Sequence, residues 1–522
     1  MSRRARMIRA RVAAVSVVVA CAAAVATTTQ PTPQTVALMT PAPPPPPHLT
    51  VAWGEAEAPS LTAPALDDQR LVQAGRGADS GFGGLAVRWS EATGVPAFTA
   101  QVTAVVRAAI ASHAELTGQP YAPSPHDGSL DLRERGCAPG ATRGAAPDLL
   151  ARTPGIGVDA PALVVDCEVV VAAGPYLGER LRAVVGTPQD VVSDEVHVIF
   201  ANADTGEAVD GAQLWTPEGV AALARAVTDA QAAAEAQVAA PESPDAWADV
   251  AITLAGGMEV HLATDAGPLT VRVPPELVAG MVTPWAADMV AAVRTHREWS
   301  GPVPVASGLA SVDCTLVPCV ALTFDDGPSE LTPGLLDTFA SRPHAAATFF
   351  VLGARVAGRE ATLARAVAEG NEVENHTWSH SSLTGMTDAE IQAEIGSTTA
   401  VIEAATGVPV RWVRPPYGAM NAHVRAVAGA PFMLWTVDTN DWQRPGEDAL
   451  VQQVVWGSRP DDVVLMHDIH AQTVAAVPAM VDGLLMRGFT LVTVGQLLGG
   501  HTAAPGEFVW SLEAVATVRA TP

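Results

Sequence analysis

The chain of 522 residues has no lysine at all, so its 30 basic residues are all arginine, a coding bias rather than a function. Basic residues are also outnumbered by 55 aspartates and glutamates, leaving a formal charge of −25. Such a chain repels phosphate backbones and anionic lipid, and no basic patch offsets that, so nucleic acid is excluded as a partner. Long apolar runs are missing too. The longest ends at Ala26 and is about 15 residues, short of the ~20 that a membrane-spanning helix requires. Later runs are interrupted by Asp, Glu, Arg or Pro, so no transmembrane helix is expected. Cysteine is scarce, with Cys21, Cys137, Cys167, Cys314 and Cys319 making up the full set. What is plentiful is hydrophobic residue, 48%, against 16% charged, which rules out a wholly disordered or collagen-like chain. The length implies two domains or more.

Residues 1–26 read as an export signal. Arg3, Arg4, Arg6, Arg9 and Arg11 precede the apolar run 12–20, and small residues follow. Two processing sites compete. Ala24-Val25-Ala26 would release a soluble protein, whereas Val18-Val19-Ala20-Cys21 resembles a lipobox, in which the cysteine is acylated and anchors the chain. Removing or acylating Cys21 leaves four cysteines, an even number. In an oxidising compartment these are expected to pair within domains, as Cys137–Cys167 and Cys314–Cys319. The expected location is therefore secreted or cell-envelope, with a lipid anchor at the outer face of the cytoplasmic membrane as one alternative. Residues 27–84, rich in Pro, Ala, Thr and Gly with a proline run at 43–47, read as a semi-extended spacer.

Residues 85–300 mix the two periodicities. A helix is predicted over 100–116 and another over 217–239, with strands at 162–172, 195–201, 250–254 and 269–273. No cluster of ligand-type residues stands out in this half. After a linker at 301–313, the pattern over 314–500 becomes short apolar strands alternating with helices: 320–324, 346–352, 372–375, 411–414, 432–437, 463–466 and 489–494. Between them, Thr387 and Glu390 form a capping box that opens a helix with Ile391, Ile395, Thr398, Ile402 and Ala405 on one face. This alternation implies parallel strands with crossover helices, seven of them, closing like a barrel. Residues 501–522 read as a tail. In such a fold the chemistry collects at the C-terminal strand ends.

Residues suited to catalysis stand at those ends. Thr323-Phe-Asp-Asp-Gly-Pro328 follows the first strand, His376-Thr-Trp-Ser-His380 the third and Arg414-Pro-Pro-Tyr-Gly418 the fourth. Asp438-Thr-Asn-Asp-Trp442 and Leu465-Met-His-Asp468 follow the fifth and sixth. His376 and His380, four apart, would face the same side of a helical turn. Two imidazoles and a carboxylate would leave a zinc site open to water and substrate. Asp325 and Asp326, adjacent at a strand end, point in different directions and can divide metal binding from proton transfer. A divalent ion makes hydroxide available near neutrality, and His467 titrates in the range of a useful proton donor. Arg414 would keep the base aspartate ionised, and Asp441 would favour protonated His467.

These five motifs together resemble the polysaccharide deacetylases of the NodB homology type, carbohydrate esterase family four. The resemblance covers about 320–498 and implies a distorted (β/α)7 barrel and metal-dependent removal of acetyl groups from N-acetylated sugars. It implies Asp325 as base, Asp326, His376 and His380 as metal ligands, His467 as acid, and Arg414 and Asp441 as supports. It further implies an oxyanion site at the backbone N–H of Tyr417 and an acetyl pocket lined by Trp442 and Leu465. Zinc is the expected ion, with cobalt or another divalent ion as alternatives. Ser381-Ser382-Leu383 departs from the His-Pro-x-Leu commoner in the family, and His423 and His470 match no family role. The smaller α+β domain at 85–300 loosely resembles one that precedes surface deacetylase modules and also occurs in envelope-sensing anti-sigma factors. The expected substrate is peptidoglycan N-acetylglucosamine. Chitooligosaccharide deacetylation and O-acetyl xylan esterase activity are alternatives, and an envelope sensing or binding protein with a vestigial barrel is the alternative of a different class.

Overall fold

The computed structural model describes residues 46–53, 68–74 and 84–511, less 93, 126–136, 153–159, 235–240, 242, 265–266, 303–306 and 502. The predicted export signal, Cys21 and the first part of the predicted spacer lie outside the described residues. Among those described, no helix is long and apolar enough to cross a membrane.

The first half carries β1 (Thr50–Trp53), β2 (Asp68–Ala74), β3 (Leu85–Glu91), β4 (Ala162–Ala173), β5 (Tyr176–Thr187), β6 (Asp190–Asn202) and β7 (Glu207–Asp210). Three further strands follow: β8 (Val250–Ile252), β9 (Met258–Leu262) and β10 (Leu269–Val273). Strands β2 to β7 form one sheet in sequence order, antiparallel except between β3 and β4, and β1-β10-β9-β8 form a second. One face of the larger sheet packs under the helix Pro96–Thr117, which buries Phe98, Val102, Val106 and Ile110. Val170, Phe200 and Trp247 join the second sheet's Val260 and Val271 in a separate core.

Two expectations are corrected here. The spacer predicted over 27–84 contains β1, paired with β10, and β2, paired with β3. Strand β1, the four residues TVAW, is too short to show a period and becomes a strand only through its distant partner. Strand β5 was not predicted, because charged Glu179, Arg180 and Arg182 interrupt its apolar pattern. Each of these side chains has a partner in the fold: Ser90 N–H to Glu179, and Asp249 and Asp194 to the two arginines.

The second half carries β11 (Cys319–Asp325), β12 (Ala347–Val351), β13 (Glu372–Asn375), β14 (Phe432–Met433), β15 (Val437–Asp438), β16 (Asp462–His467), β17 (Thr490–Leu491) and β18 (Phe508–Val509). The strand order is β13-β12-β11-β16-β15, all parallel, giving an α/β fold. Strand β11 is buried at every residue, as a continuous apolar run covered on both faces should be. The strand expected at 411–414 reduces to Val413, which bridges Asn375 on one side and Phe432 on the other. Pro415 and Pro416 follow it and lack the N–H needed to extend a ladder. The tail predicted from 501 is corrected as well, since β18 pairs with β14. The helix Asp388–Thr406 begins with the expected capping box and buries Ile391, Ile395, Thr398 and Ile402.

The two halves are joined. Val106 and Ile110 share a buried cluster with Leu316 and Val317, and the Tyr121 hydroxyl donates to the Leu316 carbonyl at 2.6 Å.

Candidate active site

Parallel strands β11, β13 and β16 deliver their C-terminal ends to one pole of the sheet. Asp325 closes β11 in a buried position, and its Oδ1 accepts from Arg414 Nη1 at 2.9 Å. Arg414 has no exposed surface; it also donates to Thr323 Oγ1 and the Leu434 carbonyl, and its guanidinium lies 3.9 Å from the Phe350 ring centroid. Burial pulls its pKa below the usual arginine value, and the charge and hydrogen bond of Asp325 oppose that. A buried arginine is sustainable only when paired and hydrogen-bonded in this way. Its second effect is geometric: Asp325 is fixed in direction.

At Asp326 the backbone turns left-handed, with φ 71°. The two carboxylates nevertheless converge, since Asp325 Oδ2 and Asp326 Oδ1 both lie 3.6 Å from His376 Nε2. Gly327 must then be glycine, because a Cβ there would collide with the Asp468 carboxylate. Asp468 is buried, which pushes its carboxyl up to about 7.

His376 donates from Nδ1 to the Arg414 carbonyl at 2.7 Å, which leaves Nε2 as the free ring nitrogen. Asp326 Oδ1 lies 3.6 Å from that Nε2 and 3.4 Å from His380 Nε2. Ligands about 2.0–2.1 Å from a tetrahedral zinc are about 3.3 Å apart, so this triangle fits a cation of that size. Asp326 Oδ1 is also buried without a hydrogen-bond partner, which is costly unless a cation satisfies it. Burial holds His380 below the usual histidine pKa, favouring the neutral ring that a metal requires. Asp326, His376 and His380 therefore form a candidate metal site.

The route by which the two imidazoles meet differs from the expectation. The segment 376–380 is a loop, not a helical turn, with left-handed Thr377 (φ 70°) and His380 (φ 61°). The rings nevertheless come to 5.0 Å between centroids.

Across the site, His467 ends β16. Its Nδ1–H donates to Asp441 Oδ1 at 2.7 Å, and its backbone N–H donates to Asp441 Oδ2 at 2.8 Å. Thr473 Oγ1 donates to the same Oδ2, a contact that nothing in the sequence marked. Burial lowers the pKa of His467, but the hydrogen bond and charge of Asp441, with Asp325 and Asp326 nearby, push it up to about 9. Leu465, two residues earlier on β16, is buried on the same strand face. Trp442 and Tyr417 are exposed, and the Tyr417 ring stands edge-on to His380 at 4.7 Å. His423, which matched no role, pairs with Asp388 on the surface.

Both expected disulfides are present, Cys137–Cys167 and Cys314–Cys319, with Cα separations of 4.7 and 5.4 Å. The first brings its two sulfurs beside Glu179, a grouping that the sequence did not reveal. Bonded to each other, those sulfurs offer no thiolate, so this cluster is no metal site.

The polysaccharide deacetylase family model matches residues 313–430. A chitooligosaccharide deacetylase of Sinorhizobium fredii (strain NBRC 101917 / NGR234) is 38% identical over 201 residues, which are 35% of this chain and 93% of that protein. The chain belongs to the polysaccharide deacetylase family. The peptidoglycan-N-acetylglucosamine deacetylase PgdA of Listeria monocytogenes serotype 1/2a (strain 10403S) is 39% identical over 181 residues, 34% of this chain and 39% of that protein. The peptidoglycan-N-acetylmuramic acid deacetylase PdaC of Bacillus subtilis (strain 168) is 38% identical over 178 residues, 34% of this chain and 38% of that protein. The chain thus spans about two fifths of the length of these two curated relatives.

Proposed function

We propose that this deacetylase removes acetyl groups from N-acetylglucosamine in peptidoglycan, using a divalent ion, zinc in our reading. One observation carries the proposal: a buried, unpartnered carboxylate oxygen of Asp326 facing two imidazole nitrogens. Asp326, His376 and His380 would hold the ion, which when bound supplies Lewis acidity to water and to the acetyl oxygen. The remaining steps belong to the chain. Asp325, aimed by Arg414, takes the proton of the attacking water. The backbone N–H of Tyr417 donates to the oxygen that gains negative charge. His467, held by Asp441 and protonated near neutrality, gives its proton to the departing sugar amine. Leu465 and Trp442 flank the acetyl methyl. Water and the acetamide become acetic acid and free amine, the proton taken by Asp325 offsetting the one given by His467.

In this reading the second half is a distorted (β/α)7 barrel, supported by the parallel order and by the bridges from β13 through Val413 to β14. The first half is an α+β accessory domain. The arginine-rich start and the lipobox-like Cys21 support export with either release or lipid anchoring in the envelope. A wall polymer suits such an address, and two of the relatives bear names of peptidoglycan deacetylases.

A second reading, chitooligosaccharide deacetylation, draws support from the Sinorhizobium relative, which is matched over nearly its whole length. Acetate release from purified peptidoglycan, chitooligosaccharide and acetylated xylan separates the readings. Peptidoglycan is expected to be consumed fastest; inert wall beside a consumed competitor would overturn the substrate assignment.

A further inference from the structure

The loop between the two imidazoles is costly to hold. Thr377 and His380 both sit in the left-handed region, where a side chain of ordinary size is disfavoured. Local contact with the loop backbone is limited to Asn375, so most of the support for that shape must come from the surrounding structure. On one side, the N–H groups of Gly353 and Ala354 donate to the carbonyls of Thr377 and Trp378 at 3.0 and 3.2 Å. Asn375 Oδ1 accepts from Thr377 N–H at 2.7 Å, and its Nδ2 donates to the Ile395 carbonyl and to Thr399 of the helix Asp388–Thr406.

Glu394, in the second turn of the same helix, takes N–H groups of the loop. Its Oε2 accepts from the backbone N–H of both Trp378 and Ser379 at 2.9 Å, and its Oε1 accepts from Ser379 Oγ at 2.7 Å. A carboxylate receiving three donors makes charge-assisted bonds, stronger than neutral ones. The Thr377–Trp378 and Trp378–Ser379 peptide groups are therefore held at both carbonyl and N–H, and the His376–Thr377 peptide at its N–H.

We propose that Glu394 is a positioning residue for the metal site: it fixes the loop so that His376 and His380 present their nitrogens to one ion before it binds. The inference rests on the reading of Asp326, His376 and His380 as ligands. Without Glu394 the loop relaxes toward ordinary backbone angles and the ion must reorder it on binding, which lowers affinity.

The test titrates Co2+ into the metal-free full chain and follows the visible absorption of the bound ion, with a chelator competition for affinity. Glu394→Ala should weaken binding about 10- to 100-fold, the range for groups that orient metal ligands, and should alter the Co2+ spectrum. Glu394→Gln, of equal size and able to accept through one oxygen, should fall between. Glu390→Ala on the same helix breaks only the capping box; it should lower the melting temperature and leave Co2+ affinity unchanged. Wild-type affinity and spectrum in both Glu394 variants would overturn the proposal, as would equal weakening by Glu390→Ala. Absence of Co2+ binding in the wild type would instead overturn the metal site itself. Should Glu394→Ala fail to fold, Glu394→Gln alone decides.

Discussion

Among the described residues, two places gather three side chains of metal-binding type, and they have opposite characters. Asp326, His376 and His380 meet at the half-open pole of the parallel sheet; Cys137, Cys167 and Glu179 meet in a closed interior. The first keeps its ligand atoms available: His376 spends Nδ1 on the Arg414 carbonyl and so frees Nε2, and Asp326 Oδ1 has no other partner. The second has consumed its sulfurs in a disulfide, leaving Glu179 to the Ser90 N–H. Residue types brought together do not make a site. What decides is whether the atoms that would bind are already committed.

The contrast can be broken most forcefully at the first cluster. Asp326→Ala or His380→Ala should reduce acetate release from peptidoglycan to background while the melting temperature of metal-free protein changes little. Retained turnover in both would remove the chemistry from this cluster.

The converse change is Cys137→Ala with Cys167→Ala. It should cost about 2–4 kcal/mol of stability, read as a lower denaturant midpoint, yet leave turnover intact. Loss of bound metal in that variant would erase the distinction between the clusters.

A third change separates the proton donor from the ligands. His467 has its pKa raised to about 9 by Asp441, against the pull of burial. Its contribution to stability is thus fully present below its unfolded value near 6.5 and lost as pH rises through about 9. Asp441→Asn should move the alkaline limb of the rate profile down by a unit or more and flatten that part of the stability curve. An unmoved alkaline limb would assign the acid elsewhere.

The smallest effect on turnover is expected at Glu179, which acts on the pH dependence of stability alone. Burial pushes its carboxyl up to about 8, so the folded state holds a proton that the unfolded state has released. Its contribution to stability is therefore greatest below about pH 4.5 and declines as pH climbs toward 8. Glu179→Gln should flatten that decline in thermal melts without altering turnover; an unchanged pH slope would contradict the neutral state of this group.

Much of the second half was legible because two signals coincided. Apolar runs such as 320–324 gave the strands, and polar motifs at their ends gave the chemistry, since parallel strands deliver their C-termini to one pole. The helix opened by Thr387 and Glu390 was readable for similar reasons: cap and period agreed. What escaped depends on distant partners. Strand β5 carries charges whose counterparts lie elsewhere, Asp194 on β6 and Asp249 just before β8. Strand β1 exists through its pairing with β10, more than 200 residues away. The histidine pair was correctly joined but by the wrong backbone, because left-handed angles at Thr377 and His380 leave no sequence pattern. Glu394 and Thr473 looked like ordinary polar helix residues, and only the packed structure gives them a role at the site.

The most direct test of the difference between the clusters is elemental analysis of protein stripped with chelator, reloaded with zinc and desalted. Our account predicts one ion per chain in the wild type and in the Cys137→Ala, Cys167→Ala variant, and none in a His376→Ala, His380→Ala variant. A full equivalent of zinc in that histidine variant would contradict it.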